Sequence, residues 1–183
     1  AYVVLSDPGG LPVDGLRNWT SGWLPALYQG TQIRSEGTPV YNLATPSDVP
    51  KGARDGQLGL LDSLNRGHLA RHPGNSELAA RISNFEIAAR MQTSVSEVLD
   101  LGNEPAHVRE LYGLDHSHKG TANYARRCLM ARRLVERGVR FVQIYLSGQP
   151  WDTHDKNAER LRDLCQMTDQ PSAALVHDLE QRG

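Results

Sequence analysis

The chain has 183 residues, 39% hydrophobic and 22% charged, a composition that can bury a core and that excludes wholesale disorder. Lys and Arg number 20 against 21 Asp and Glu, so a net charge of -1 offers no basic field for a phosphate backbone, and nucleic acid is not an expected partner. No apolar run reaches the roughly 18 residues of a membrane-spanning helix.

Tyr2-Val3-Val4-Leu5 is a short β-favouring run stopped by Asp7-Pro8-Gly9-Gly10, which predicts a strand and a turn. With no methionine and no basic lead ahead of this run, the native start is expected upstream. Residues 6–56 are rich in Gly, Pro, Ser, Thr and Asn and read as a long irregular excursion, anchored by Trp19, Trp23, Leu24, Leu27 and Tyr28. Stacking of Trp19, Trp23 and Tyr28 on a ligand is the other use open to them.

Residues 57–138 read as helical. Leu58, Leu61, Leu64 and Leu69 mark an amphipathic segment ending near His72-Pro73-Gly74. A second begins with Asn75 or Ser76 as its cap and repeats Leu78, Ile82, Phe85 and Ala89 along one face. Residues 105–112 predict a short helix stopped by Gly113. Residues 121–137 predict a longer one stopped by Gly138, with Tyr124, Cys128, Ala131 and Val135 as its apolar face. Its Arg126-Arg127 and Arg132-Arg133 pairs are expected on a solvated face. Cys128 and Cys165 match no zinc or redox spacing and are expected as two buried thiols, with one disulfide as the alternative.

Residues 139–183 read as strand, loop and helix. The continuous run from Val139 to Leu146 predicts a strand covered on both sides in a parallel sheet. The final helix carries Leu161, Leu164, Leu175 and Leu179, with Pro171 expected to kink or divide it and Gly183 at its C-terminal stop. Two strands are too few for a parallel sheet, and the loop-rich first third is not expected to supply more. The fold class is therefore α/β, a helix-rich single partial domain over residues 1–183 that carries few strands of a larger parallel sheet.

Open α/β sheets place their sites beyond the carboxyl ends of strands, and the densest polar cluster, residues 147–157, follows the second strand. There Asp152 offers a hard oxygen and His154 an imidazole nitrogen, two residues apart, and both can reach one divalent metal. The alternative is that Asp152 or Thr153 caps the final helix and His154 is a surface residue. Asp115-His116-Ser117-His118 reads as a surface loop. His68 and His72 share a helix face, but Leu69 stands where a zinc-protease carboxylate would follow His68. No phosphate-binding or dinucleotide glycine motif and no nucleophile elbow is present.

Several segments together resemble the DUF1501 family. They are residues 23–31 from Trp23-Leu24-Pro25, residues 60–69 around Asp62-Ser63-Leu64-Asn65-Arg66, and the stretch from Ser76-Glu77-Leu78 to Arg90-Met91-Gln92-Thr93. Leu111-Tyr112-Gly113-Leu114, residues 128–142 and Trp151-Asp152-Thr153-His154 complete the likeness, which spans nearly the whole chain in order. The resemblance implies the alkaline phosphatase and sulfatase superfamily, metal-dependent hydrolases on an α/β sheet, and so a partial alkaline phosphatase-like fold. It implies that Asp152 and His154 are metal ligands and that Trp151 and Asn157 support the site.

The same resemblance implies that the nucleophile and further ligands lie outside this chain, in an upstream Gly-Gly-Pro-Ser-His segment and a downstream strand with an Asp-His pair. The fragment is then inactive alone. An aspartate is usual at the position of His116, and a helix-friendly residue at that of Pro171. Full-length relatives of this kind often carry twin-arginine or other export signals, so the resemblance implies a periplasmic or exported parent. The expected activity is hydrolysis of a phosphate or sulfate ester, small or polymeric, with a divalent metal such as zinc, manganese or iron. A non-catalytic binding or assembly scaffold of the same fold is the alternative, and a self-contained helical domain with two packed strands is a third reading.

Overall fold

The computed structural model describes residues 2–25, 28–36, 50, 52–83, 86, 98 and 100–183. Strand β1 (Tyr2–Ser6) carries an unbroken apolar run and is the central strand of a parallel sheet. Its neighbours are β2 (Thr31–Arg34) and β3 (Phe141–Ile144), in the order β2-β1-β3. Val3 pairs with Thr31 on one side and Val142 on the other, and Leu5 with Ile33 and Ile144. Val3, Val4 and Leu5 are all fully buried, as a strand covered on both faces requires.

Side chains alternate across a strand, and the two faces of β1 meet different material. Val3 and Leu5, with Ile33 of β2, join the core formed by Val108, Tyr112, Leu114, Ala125, Cys128 and Leu129. On the other face, Tyr2 and Val4 press against the segment that returns from β1 to β2. There the backbone of Gly30 passes so close that a Cβ on it would lie 2.9 Å from both Tyr2 Cε1 and Val4 Cγ2. Trp19, at the end of a 3-10 turn (Gly15–Trp19), is buried beside it and accepts the Gly30 N–H at 2.8 Å through its carbonyl oxygen.

The chain between Ser6 and residue 56 thus contains a strand, contrary to expectation. Thr31-Gln32-Ile33-Arg34 is only four residues long and sits in polar surroundings. Parallel pairing with β1, rather than a hydrophobic run, makes it a strand. Conversely, β3 occupies an edge of the described sheet and is half-buried, with Phe141 56% exposed, so the doubly covered strand is β1.

Helix α1 (Ala53–Arg71) follows β2 and ends where predicted, at His72. Its leucines are not a buried face: Leu60, Leu61 and Leu64 are all exposed, and among its described side chains none is buried. Residues 76–83 are helical, with Asn75 Oδ1 accepting the Leu78 N–H at 3.0 Å as the expected cap, and Ala80 and Ile82 buried. Phe85 and Ala89 lie outside the described residues.

The three remaining helices make the layer over β1. Helix α2 (Ala106–Tyr112) ends in a left-handed Gly113, φ 77°, with the Leu114 N–H reaching back to the Arg109 carbonyl at 2.9 Å. Gln170 donates to the Glu110 and Leu111 carbonyls at the same end. Helix α3 (Lys119–Glu136) is buried nearly all round, with Thr121, Ala125, Cys128, Leu129, Met130 and Leu134 inside; Val135, expected on its apolar face, is 44% exposed. Helix α4 (Asn157–Arg182) runs through Pro171 undivided. Leu164, Pro171, Ala174 and Asp178 recur along one buried face, and packing of the ring there holds the helix across the missing donor.

Two further expectations change. Cys128 is buried, and burial pushes its thiol up to about 12, whereas Cys165 is exposed; both are free. The arginines of α3 are not a solvated face: Arg127 and Arg132 are buried. Arg132 pairs with Glu104 at 2.9 Å, with Glu136 at 3.2 Å and with Asp178 at 3.4 Å. Asp178 also accepts the Tyr112 hydroxyl at 3.0 Å and Arg182 Nε at 2.6 Å. A buried guanidinium needs its charge matched, and this network gives Arg132 carboxylates from three separate segments, while its Nε faces Asp178 at 3.4 Å without a hydrogen bond.

Candidate functional site at the carboxyl edge of the sheet

At the carboxyl ends of β1 and β3 the chain turns twice, and the two turns are bound together. The Tyr145 N–H extends the ladder to the Leu5 carbonyl at 3.0 Å, Gly148 N–H donates to Leu11 at 2.9 Å, and Pro12 bridges Gly148 in parallel. Arg127, 1% exposed, reaches from α3 to both turns: its Nη1 donates to Asp7 Oδ2 at 2.6 Å and to the Tyr145 carbonyl at 2.7 Å. Asp7 in turn accepts the Gly9 N–H at 2.7 Å. The Tyr145 hydroxyl donates to the Asn18 carbonyl at 3.1 Å, while its ring packs 5.4 Å from Trp19.

These ties frame an open cleft of about 750 Å³. Pro12, Val13, Asp14 and Asn18 form one wall, Ile144, Tyr145 and Leu146 the sheet end, the turn from Gly148 to Asp152 another wall, and Tyr124, Thr168 and Ser172 the helical side. Its position beyond the carboxyl ends of parallel strands is where open α/β sheets carry their sites.

Of the residues expected to form a site, Trp151 and Asp152 line this cleft. The Asp152 N–H closes a turn onto the Gln149 carbonyl at 3.1 Å, and its Oδ2 lies 3.2 Å from His154 Nε2, with both side chains exposed. Asn157 opens α4 and accepts the Thr153 hydroxyl through Oδ1 at 2.5 Å, which pins the loop to the helix. Neither Asp152 nor Thr153 caps α4. The residue before it is Lys156, at φ 48°, and Asp155 pairs instead with Arg160 at 2.8 Å. Among the described residues no group of three or more His, Cys, Asp or Glu side chains converges.

The other histidines have different duties. His118 caps α3, its Nδ1 accepting the Thr121 N–H at 3.2 Å while Nε2 faces Asp163 at 3.2 Å. His116 accepts the His118 N–H at 3.0 Å, and Asp115 binds Arg109 through both oxygens. The expected surface loop is thus held at several points. His68 and His72 lie ring to ring at 4.4 Å on the exposed end of α1. Trp19 anchors the first excursion as expected, but Trp23 is 94% exposed and Tyr28 56%.

Sequence reasoning missed Arg127, Asp7, Asn18 and Tyr145 as parts of this region. The signal for Asp7 was present, a polar residue and a glycine turn directly after the first strand. That for Arg127 was hidden, because nothing local separates a buried arginine from the exposed Arg126 beside it.

Fold and site together define an α/β protein whose small parallel sheet carries a polar, aromatic-walled cleft at its carboxyl edge. The chain belongs to the family described as "Protein of unknown function (DUF1501)", whose model matches residues 1–183. Among curated proteins and among solved structures, nothing matches.

Proposed function

We propose that the loop after β3 is one side of a divalent-metal centre in an exported hydrolase of phosphate or sulfate esters, of the alkaline phosphatase and sulfatase superfamily. The observation that carries this reading is the convergence of Asp152 Oδ2 and His154 Nε2, 3.2 Å apart, on the loop that walls the cleft. Two donors about 2.1 Å from one tetrahedral or octahedral ion lie ~3.0–3.4 Å from each other, so the pair fits as half of such a centre. The donor types suit zinc, manganese or iron. The other ligands and the nucleophile would come from beyond the described residues, within a larger sheet.

A divalent ion held there would supply charge that polarises the ester and stabilises the leaving oxygen. The chain's own residues bind and orient. Asp152 and His154 would hold the ion, Thr153 and Asn157 fix the loop that presents them, and Trp151 and Tyr145 shape the wall against which the organic part of the ester rests. Arg127 keeps both turns in register from inside the protein.

A non-catalytic binding or assembly scaffold is the second reading, favoured by the exposed leucines of α1 and by Trp23. Metal content by plasma mass spectrometry separates the two. The hydrolase reading expects stoichiometric metal in the purified protein and its loss in the Asp152→Ala, His154→Ala double variant. Metal retained by that variant, or absent from both proteins, would reject this centre.

A further inference from the structure

We propose that the cleft binds an uncharged, hydroxyl-rich sugar unit as the organic part of the substrate. This takes from the reading above only that the cleft is the substrate site. The first argument is electrostatic. Among the described residues no Lys, Arg or His lines the cleft, while two carboxylates, Asp14 and Asp152, do. The adjacent cation, Arg127, is 1% exposed and committed to Asp7 and the Tyr145 carbonyl. Such a lining repels an anionic ligand body, and a positive partner for an anionic ester group would have to be a metal at the Asp152 edge.

The second argument is the pairing of surfaces. Tyr124, Tyr145 and Trp151 bring aromatic rings to the lining, and Trp151 is 52% exposed. A pyranose ring presents an apolar C–H face that lies flat on such rings and a rim of hydroxyls that each donate and accept. The rim would meet matching groups. Among the described residues, neither the Gln149 amide nor the Asp14 carboxylate has a hydrogen-bond partner, and both are exposed at the cleft. Carboxylates accept from hydroxyls, and a carboxamide does both, so an uncharged polyol satisfies this set where a hydrocarbon or a phosphate-rich ligand does not.

The third argument is rigidity. The walls are bound to each other by the Pro12 and Gly148 bridge, the Gly148 N–H to Leu11 and the Tyr145 hydroxyl to Asn18, so the lining is formed before any ligand arrives. A volume of about 750 Å³ falls in the range of small-molecule sites.

The test is tryptophan fluorescence together with saturation-transfer NMR, recorded in EDTA so that no metal contributes. The probes are maltohexaose, cellohexaose, laminarihexaose and agarohexaose, with dextran sulfate as the charged comparison. The expected result is binding of at least one uncharged hexaose, weakened about tenfold by Trp151→Ala and restored by Trp151→Phe. Because Trp151 is half exposed, both variants should melt with the parent, which separates lost binding from lost folding. Absence of binding by every uncharged probe, binding by dextran sulfate alone, or an affinity unchanged in Trp151→Ala would overturn the proposal. Hexaose binding in EDTA by a protein that carries no metal when untreated would uphold it while rejecting the metal centre.

Discussion

Gly30 shows how tightly one position can be constrained by its neighbours. A methyl group there would press on Tyr2, Val4 and the Cβ of Trp19 within 3.0 Å, between the sheet and the segment that covers its second face. None of these neighbours is the free end of a flexible chain, so the layer must shift. Gly30→Ala is expected to lower stability by about 1–3 kcal/mol, the usual cost of overpacking, as read from urea denaturation. An unchanged midpoint would show that the Trp19 segment yields without cost. Arg127 makes the same point for charge: its burial is tolerable because Asp7 and a main-chain carbonyl take its donors, and those two partners are what join the turns after β1 and β3.

Among the elements, α2, α3 and α4 are joined by apolar contact and by one shared network around Asp178. Burial alone would raise the Asp178 carboxyl; hydrogen bonds from Arg182 and Tyr112 and the charges of Arg182 and Arg132 outweigh it and hold the group below its ordinary value. A carboxylate depressed in the folded state stabilises the fold above its unfolded value, near 3.9, and loses that contribution as pH falls through the folded one. The melting temperature should therefore drop as pH falls below about 4, and Asp178→Asn should be less stable at neutral pH and show a shallower acid drop. An identical acid limb in the variant would remove Asp178 from the network's energetics. Much of this helical layer was legible. The spacing of apolar residues and the stops at Gly113 and Gly138 define α2 and α3, because those signals are local. The burial of Arg132 was not legible, since its partners Glu104 and Asp178 are 28 and 46 residues distant in sequence and meet it only through the fold.

For the whole molecule, a three-stranded parallel sheet is enough to place two turns side by side and to make their common edge a cleft. The position of the candidate site was readable, because a polar loop after a hydrophobic strand in an α/β pattern points to the carboxyl edge. Its walls were not, because Asn18 and Pro12 come from a segment that reads as irregular, and β2, the strand that segment leads to, is specified by pairing and not by hydrophobicity. The catalysis proposed for this edge depends on Asp152 and His154 holding a metal there. The most direct test is an anomalous difference map, recorded at the zinc edge, from crystals of the protein grown with zinc. The expected result is a peak about 2.0–2.2 Å from both Asp152 Oδ2 and His154 Nε2. A peak elsewhere, with this loop unchanged and empty, would contradict it.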